Sequence, residues 1–375
     1  MNTDYNIIIL GGGLAGLTCA LHLSRNNLSV LLVEKSKYPH HKVCGEYISN
    51  EVLPYLESLD IYPLENNAKQ ISKLVLSVNS GKSLEQQLPL GGFGMSRYFL
   101  DDLMAKKARE TATLLKGSVK NIEFHKTHFS VNTAKGESFT SSFVIGAYGK
   151  RSNLDKVLDR GFALKKSPWL AVKAHYKAEF RDDVVALHHF DGGYCGLSKV
   201  ENGHVNMCYL ANYNSFKNHK NIADFEQNVV KQNPYLKEFL KYATPLFEEP
   251  LAISQISFES KKPVENHILM VGDSAGLIHP LCGNGMAMAI HSAKILSELL
   301  VEHYKGASEN REILEDRYRK RWNATFKSRL RTASVLQKIL MRPKLLQFGV
   351  EMATRFPTIV PRIIKKTHGK PLTIK

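Results

Sequence analysis

Gly11, Gly13 and Gly16, followed by Glu34, have the residue types and spacing to hold a pyrophosphate and a ribose. Gly11 permits a tight turn, Gly13 lets the main chain approach an anion, and Gly16 lets a helix lie close to a strand. Leu14 and Ala15 open that helix, where unpaired N–H groups and the positive end of the macrodipole favour phosphate without a basic side chain. Glu34, with Lys35 beside it, is placed to accept hydrogen bonds from ribose hydroxyls and disfavours a 2′-phosphate. The elements that must position these groups are present in order. The apolar strand Ile7–Leu10 runs into the glycines, a helix follows, and a second strand, Val30–Val33, delivers Glu34.

A second strand-to-turn element lies far along the chain. His267–Val271 runs into Gly272-Asp273-Ser274-Ala275-Gly276, and Gly283-Asn284-Gly285 opens a strongly apolar helix with bare N–H groups. Between the two elements, Arg97 starts a helix expected over Ser96–Leu115, where Phe99, Leu100, Leu103, Met104, Ala108 and Ala112 recur at helical spacing. Asp101 and Asp102 in its first turn are expected to be dipole partners. Gly91–Gly94 is expected to break the chain. The histidine pairs His40–His41 and His188–His189 lack the carboxylate or cysteine spacing of a metal site and are expected to pack or be solvated.

Composition narrows the classes. The 375 residues suit two or three domains, and the hydrophobic fraction, 43%, is that of a globular protein. Five cysteines without a CxxC pair argue for free thiols. The first strand begins too near Met1 for a signal peptide, and no apolar run approaches the ~20 residues of a membrane span. The expected localisation is therefore cytoplasmic, with any membrane contact peripheral on the inner face.

The net charge of +16 is concentrated in the last part of the chain: from Arg317 to Lys375 there are 16 Lys and Arg against Glu351 alone. With +15 carried by this tail, the preceding 316 residues are close to neutral, which points to an anionic partner for the tail. Its apolar blocks (Leu336, Ile339, Leu340 and Met341; Leu345, Leu346 and Phe348; Ile359, Val360, Ile363 and Ile364) suit an anionic membrane surface, an acidic carrier protein, or capping of the body. Nucleic acid is not expected, because aromatic residues are not interleaved with the charge.

The N-terminal glycine motif together with Gly272-Asp273 resembles the FAD-dependent oxidoreductases of the para-hydroxybenzoate hydroxylase-like fold. Pro39-His40-His41-Lys42-Val43-Cys44-Gly45 resembles the PxxKxCG motif of the geranylgeranyl reductase family within it. The resemblance implies FAD as cofactor, with Asp273 on the ribityl chain and Gly283, Asn284 and Gly285 at the flavin. It also implies Arg97 and Lys42 near the cofactor and Cys44 at the substrate face as the catalytic candidate. Glu46 stands where that family commonly has a second glycine, and Tyr148 where hydroxylases of the fold have an aspartate.

The implied fold class is α/β: a Rossmann-type FAD-binding domain (GR2/para-hydroxybenzoate hydroxylase-like), a second, mostly antiparallel β substrate domain, and a helical C-terminus. The expected FAD-binding segments are residues 1–70, 96–155 and 259–305. Residues 71–95 and 156–258 form the substrate domain, and 306–375 the basic helical region. The implied activity is reduction of carbon–carbon double bonds in a long apolar, polyprenyl or lipid-like substrate. With no second glycine cradle, NADPH or NADH would be a transient electron donor. The alternatives are a flavin monooxygenase or halogenase acting on a polyketide-like or carrier-bound substrate, and a non-catalytic flavoprotein scaffold. Only Trp169 and Trp322 are present, so a WxWxIP halogenase signature is absent.

Overall fold

The computed structural model describes residues 3–306 and 310–373. Its first sheet has the spatial order Val264–Glu265, Ile268–Met270, Ser138–Gly146, Tyr5–Leu10, Val30–Glu34, Thr113–Lys116. From Ile268–Met270 to Thr113–Lys116 every neighbouring pair is parallel. Ile7, Ile8 and Ile9 are fully buried, as strands covered on both faces must be. Helix α1 (Leu14–Ser24) is buried along almost its whole length, packed against α2 (Arg97–Ala108) and α3 (Gly285–Tyr304).

The second sheet runs Thr244–Pro245, Trp169–Lys177, Val205–Asn212, Gly193–Lys199, Val184–Phe190, Lys69–Ser77, Ser83–Gly94, Tyr47–Ser49, with Leu251–Ser254 also on Trp169–Lys177. It is antiparallel except where Val184–Phe190 meets Lys69–Ser77. One face is covered by short helices that bury Phe225 and Leu236.

Two local expectations fail. The helix expected over Ser96–Leu115 stops at Ala108, and Thr113–Lys116 instead pairs in parallel with Leu31–Glu34. Ala112 carried the helical periodicity too far: the chain turns after Ala108, and Leu114 and Leu115 enter the sheet edge. Gly91–Gly94 does not break the chain but completes the strand Ser83–Gly94. Gly92 is needed there because a Cβ would collide with Tyr47 and the Ile48 carbonyl of the paired strand.

The basic tail is three helices: α4 (Arg311–Leu340), α5 (Pro343–Arg355) and α6 (Ile359–Thr367). Leu314, Tyr318, Trp322 and Phe326 bury one stripe of α4 in the core of the first domain, and the Tyr318 hydroxyl donates to the Met270 carbonyl at 2.6 Å. Val350 and Ala353 of α5 and Val360 of α6 pack against Leu74, Leu84, Leu88 and Val185 of the second sheet. Much of the tail's apolar surface is therefore spent on the body, while Leu345 and Phe348 remain exposed. No helix among the described residues is long and apolar enough to cross a membrane.

Candidate functional site

The glycine turn is shaped by close approach. Gly11 has φ +107°, and a Cβ on it would lie 2.6 Å from the Ala147 carbonyl oxygen. Gly16 meets the Gly11 carbonyl so closely that no Cβ fits between α1 and the first strand. Gly13, the N-cap residue of α1, faces Arg97 Nη2 and Lys42 Nζ. The Glu34 carboxylate accepts from the Gly12 N–H at 2.7 Å and the Ser36 N–H at 2.9 Å, which keeps it beside the turn with lone pairs remaining for a further donor.

Opposite this turn, Gly272 (φ +60°) lets the chain bend at the end of Ile268–Met270, and its N–H is held by Ser292 Oγ at 2.8 Å. Asp273 lines the cavity, and among the described residues its carboxylate makes no hydrogen bond to protein. Gly283 has φ +62°, and Gly285 starts α3 with no acid in the first turn. Asn284 is fully buried behind this helix end, its side-chain oxygen and nitrogen both without a well-formed hydrogen bond among the described residues.

Asp101 is the electrostatic centre between the two turns. It is fully buried and accepts from Arg97 Nε and Nη2, both at 2.7 Å, and from Lys42 Nζ at 2.9 Å. Burial alone would raise its pKa, but the charges of Arg97 and Lys42 outweigh it and hold the carboxyl below its usual range. Asp101 is thus not the dipole partner expected from its position. It is the clamp that places two cations beside Gly13. Asp102 pairs with Lys106 on the surface.

The loop between Lys42 and Glu46 is fixed from the other side. Glu46 adopts φ +55°, a backbone region that favours glycine, and its side chain is completely buried. It accepts from Lys173 Nζ at 2.5 Å, His175 Nε2 at 2.7 Å and the Arg97 N–H at 2.8 Å. Burial pushes its carboxyl up, but the Lys173 charge and the hydrogen bonds from His175 and Lys173 prevail and hold it below the usual range. Lys173 and His175 lie two apart in Trp169–Lys177 and so share one face of the second sheet. Sequence reasoning marks Glu46 as a departure but misses this role; a carboxylate at a glycine-like position was the available signal. His41 packs among Tyr98, His175 and Phe247, and burial followed by the Lys173 charge lowers its pKa to about 4.

Cys44 is half-buried, its Sγ 3.5 Å from Met286 Sδ near the start of α3. Tyr148, at the position of the missing aspartate, takes a hydrogen bond from Arg160 at 3.2 Å, and Arg160 is ion-paired to Asp155 and Glu265. No group of His, Cys, Asp or Glu suited to a metal occurs among the described residues.

Gly11, Gly13, Leu14, Ala15, Glu34, Lys35, Lys42, Cys44, Arg97, Gly272, Asp273, Gly283 and Gly285 all line one cavity of about 900 Å³. Gly16 and Asn284 do not; they act behind its wall. The same cavity is also lined by Leu74, Leu76, Leu84, Leu88, Val185 and Leu187 of the second sheet and by Leu336, Ile339, Val350, Ile359, Ile363 and Ile364 of the tail, with Ser77, His189, Thr367 and His368 among them.

Residues 4–329 match the family model described as an FAD binding domain. The chain belongs to this FAD-binding family of oxidoreductases. The residues present fit that cofactor: a turn with no room for side chains, an acid near a ribose position, and an uncommitted Asp273 lining the same cavity as two cations. The chain is 26% identical to digeranylgeranylglycerophospholipid reductase of Methanocaldococcus jannaschii, over 91% of this chain and 88% of that one. Among solved structures, the flavin-dependent brominase Bmp2 is similar with a TM-score of 0.79 at 16% identity, covering 96% of this chain and 93% of that one. A geranylgeranyl bacteriochlorophyll reductase-like protein of Thermoplasma acidophilum gives 0.78 at 17%, covering 96% of both. The two structures share the fold.

Proposed function

We propose that this FAD-dependent oxidoreductase reduces carbon–carbon double bonds of a long apolar substrate, a polyprenyl or other lipid. The observation that carries the proposal is that one cavity is lined both by Gly13, Asp273, Lys42 and Cys44 and by a large set of aliphatic side chains of the second sheet and the tail, which form its apolar chamber. An apolar chain entering that chamber gains roughly 25 cal/mol per Å² removed from water, whereas a polar one would lose hydrogen bonds there. The archaeal relative's name supports the same reading.

Bound FAD supplies the two-electron reducing power, and saturation of the double bond also consumes a proton. Asp101 holds Lys42 and Arg97 where they balance negative charge beside the glycine turn. Glu46, anchored to Lys173 and His175, sets the backbone that carries Cys44. Cys44, which lines the same cavity, is the candidate proton donor. NADPH or NADH is the proposed transient electron donor. The exposed Leu345, Phe348 and Phe356, beside Arg342, Lys344 and Arg355, support peripheral contact with an anionic membrane on the cytoplasmic face.

The test is anaerobic. Reduced holoenzyme mixed with a geranylgeranyl lipid is expected to recover its oxidised absorbance while each reduced double bond gains two hydrogens by mass. Recovery only on admitting oxygen, with oxygen found in the product, would establish the oxygenase alternative instead. Cys44→Ser should lower kcat about 100-fold with KM little changed; full turnover would remove Cys44 from the reaction.

A further inference from the structure

One side of helix α5 walls the apolar chamber and the rest meets solvent. Leu346, Val350 and Ala353, spaced four and three apart, lie together on the chamber side. Elsewhere on the helix Leu345 and Phe348 are 45% and 60% exposed, and Phe356, just past its end, is 48% exposed. Arg342, Lys344 and Arg355 stand among these apolar side chains, exposed and without an ion pair among the described residues.

Apart from apolar packing, little holds this part of the wall in place. Among the described residues one side-chain bond joins α5 to the body, from Lys82 Nζ to Glu351 at 2.5 Å, and both partners are about half exposed. A pair so open to water adds little to stability. Non-helical backbone at Arg342 (φ −120°, ψ 93°) and Phe356 (φ −126°, ψ 80°) bounds the helix, which gives it a short hinge at each end. Glu351 is also the only acid from Arg317 to Lys375. An anionic surface attracts Lys82 and the cations of α5 but repels Glu351, and so works against the one ion pair that fastens the helix.

We propose that α5 is the gate of the chamber and that an anionic membrane opens it. Leu345, Phe348 and Phe356 enter the interface, the Lys82–Glu351 pair separates, and the chamber opens onto the acyl chains. The inference rests on the apolar-substrate reading and adds the route by which such a substrate enters. An acidic protein surface would answer the cations but not the three apolar side chains between them, whereas a bilayer answers both.

The test uses full-length, FAD-loaded protein and vesicles carrying a phosphatidylcholine with a diazirine at its acyl end, made with or without phosphatidylglycerol. Binding is read by sedimentation, and labelled residues are mapped by mass spectrometry after illumination. Label on Leu76 and Leu187, sheet residues of the chamber wall, should rise at least about tenfold when phosphatidylglycerol is present. In Leu345→Ser/Phe348→Ser both binding and this label should fall to the level seen with neutral vesicles. Lys82→Cys/Glu351→Cys, closed by a short bismaleimide, should still sediment with anionic vesicles and take label at Phe348 but lose it at Leu76 and Leu187. Absence of binding, equal chamber label from both kinds of vesicle, or chamber label that persists in the closed protein overturns the gate. Chamber label from an acyl carrier protein bearing the same diazirine chain, and none from vesicles, overturns the membrane as its trigger. No turnover enters these readouts: chamber label without reduction of a geranylgeranyl lipid keeps the gate and removes the reductase reading, and reduction without chamber label does the reverse.

Discussion

The cradle and the chamber share a cavity but are built by opposite means. In the cradle, main-chain turns do the shaping, and Gly11 and Gly16 leave no space for one extra carbon. In the chamber, aliphatic side chains from two sheet regions and three tail helices form the wall, and each borders open space. The two regions therefore differ in tolerance: main-chain geometry is all-or-none, whereas an aliphatic wall can change by degrees. Glu46 joins the regions, since its loop leads from the cradle while Lys173 and His175 belong to the second sheet.

Among substitutions, the largest loss is expected at that joint. Glu46→Ala leaves Lys173 buried without its partner and should destabilise the protein by about 3–5 kcal/mol in urea unfolding. Both FAD retention and substrate binding should suffer. Gly16→Ala should cost about 3 kcal/mol, and the purified protein should lack flavin absorbance because α1 is forced off the Gly11 carbonyl. By contrast Leu76→Ala or Ile363→Ala should cost about 1 kcal/mol, below the usual ~2–5 of a closed core, and should retain FAD.

A separate effect, reached only on acidification, is a pH dependence. Burial lowers the pKa of His188 to about 4 and of His279 and His291 to about 3, the last with help from the Arg329, Lys294 and Arg321 charges. Their unfolded forms titrate near ~6.5 and so bind more protons between these limits. The stability they confer is complete above about pH 6.5 and is lost as pH falls toward about 4. Urea midpoints measured from about pH 7 to 4 should decline accordingly, and a flat profile would contradict neutral, buried imidazoles.

The cradle was legible because its determinants are local: glycines, a strand and an acid occur within one stretch around Gly11 to Glu34. Gly272-Asp273 was legible for the same reason. Glu46 was visible only as an oddity, since Lys173 and His175 lie more than a hundred residues away and their register appears only when the second sheet forms. Asp101 was misread because spacing within α2 does not reveal that Lys42 arrives from another loop. The tail's chamber-facing stripe was likewise hidden, as apolar residues among cations suit a membrane, a partner or the body equally well.

The tail also sets an order of events during biosynthesis. The second sheet's aliphatic face, including Leu74, Leu84 and Val185, is complete before Val350, Ala353 and Val360 have been translated. A nascent chain paused upstream of α5 would carry the whole glycine turn and yet present an unfinished greasy wall to solvent, a surface that invites chaperones or aggregation until the final helices emerge from the ribosome.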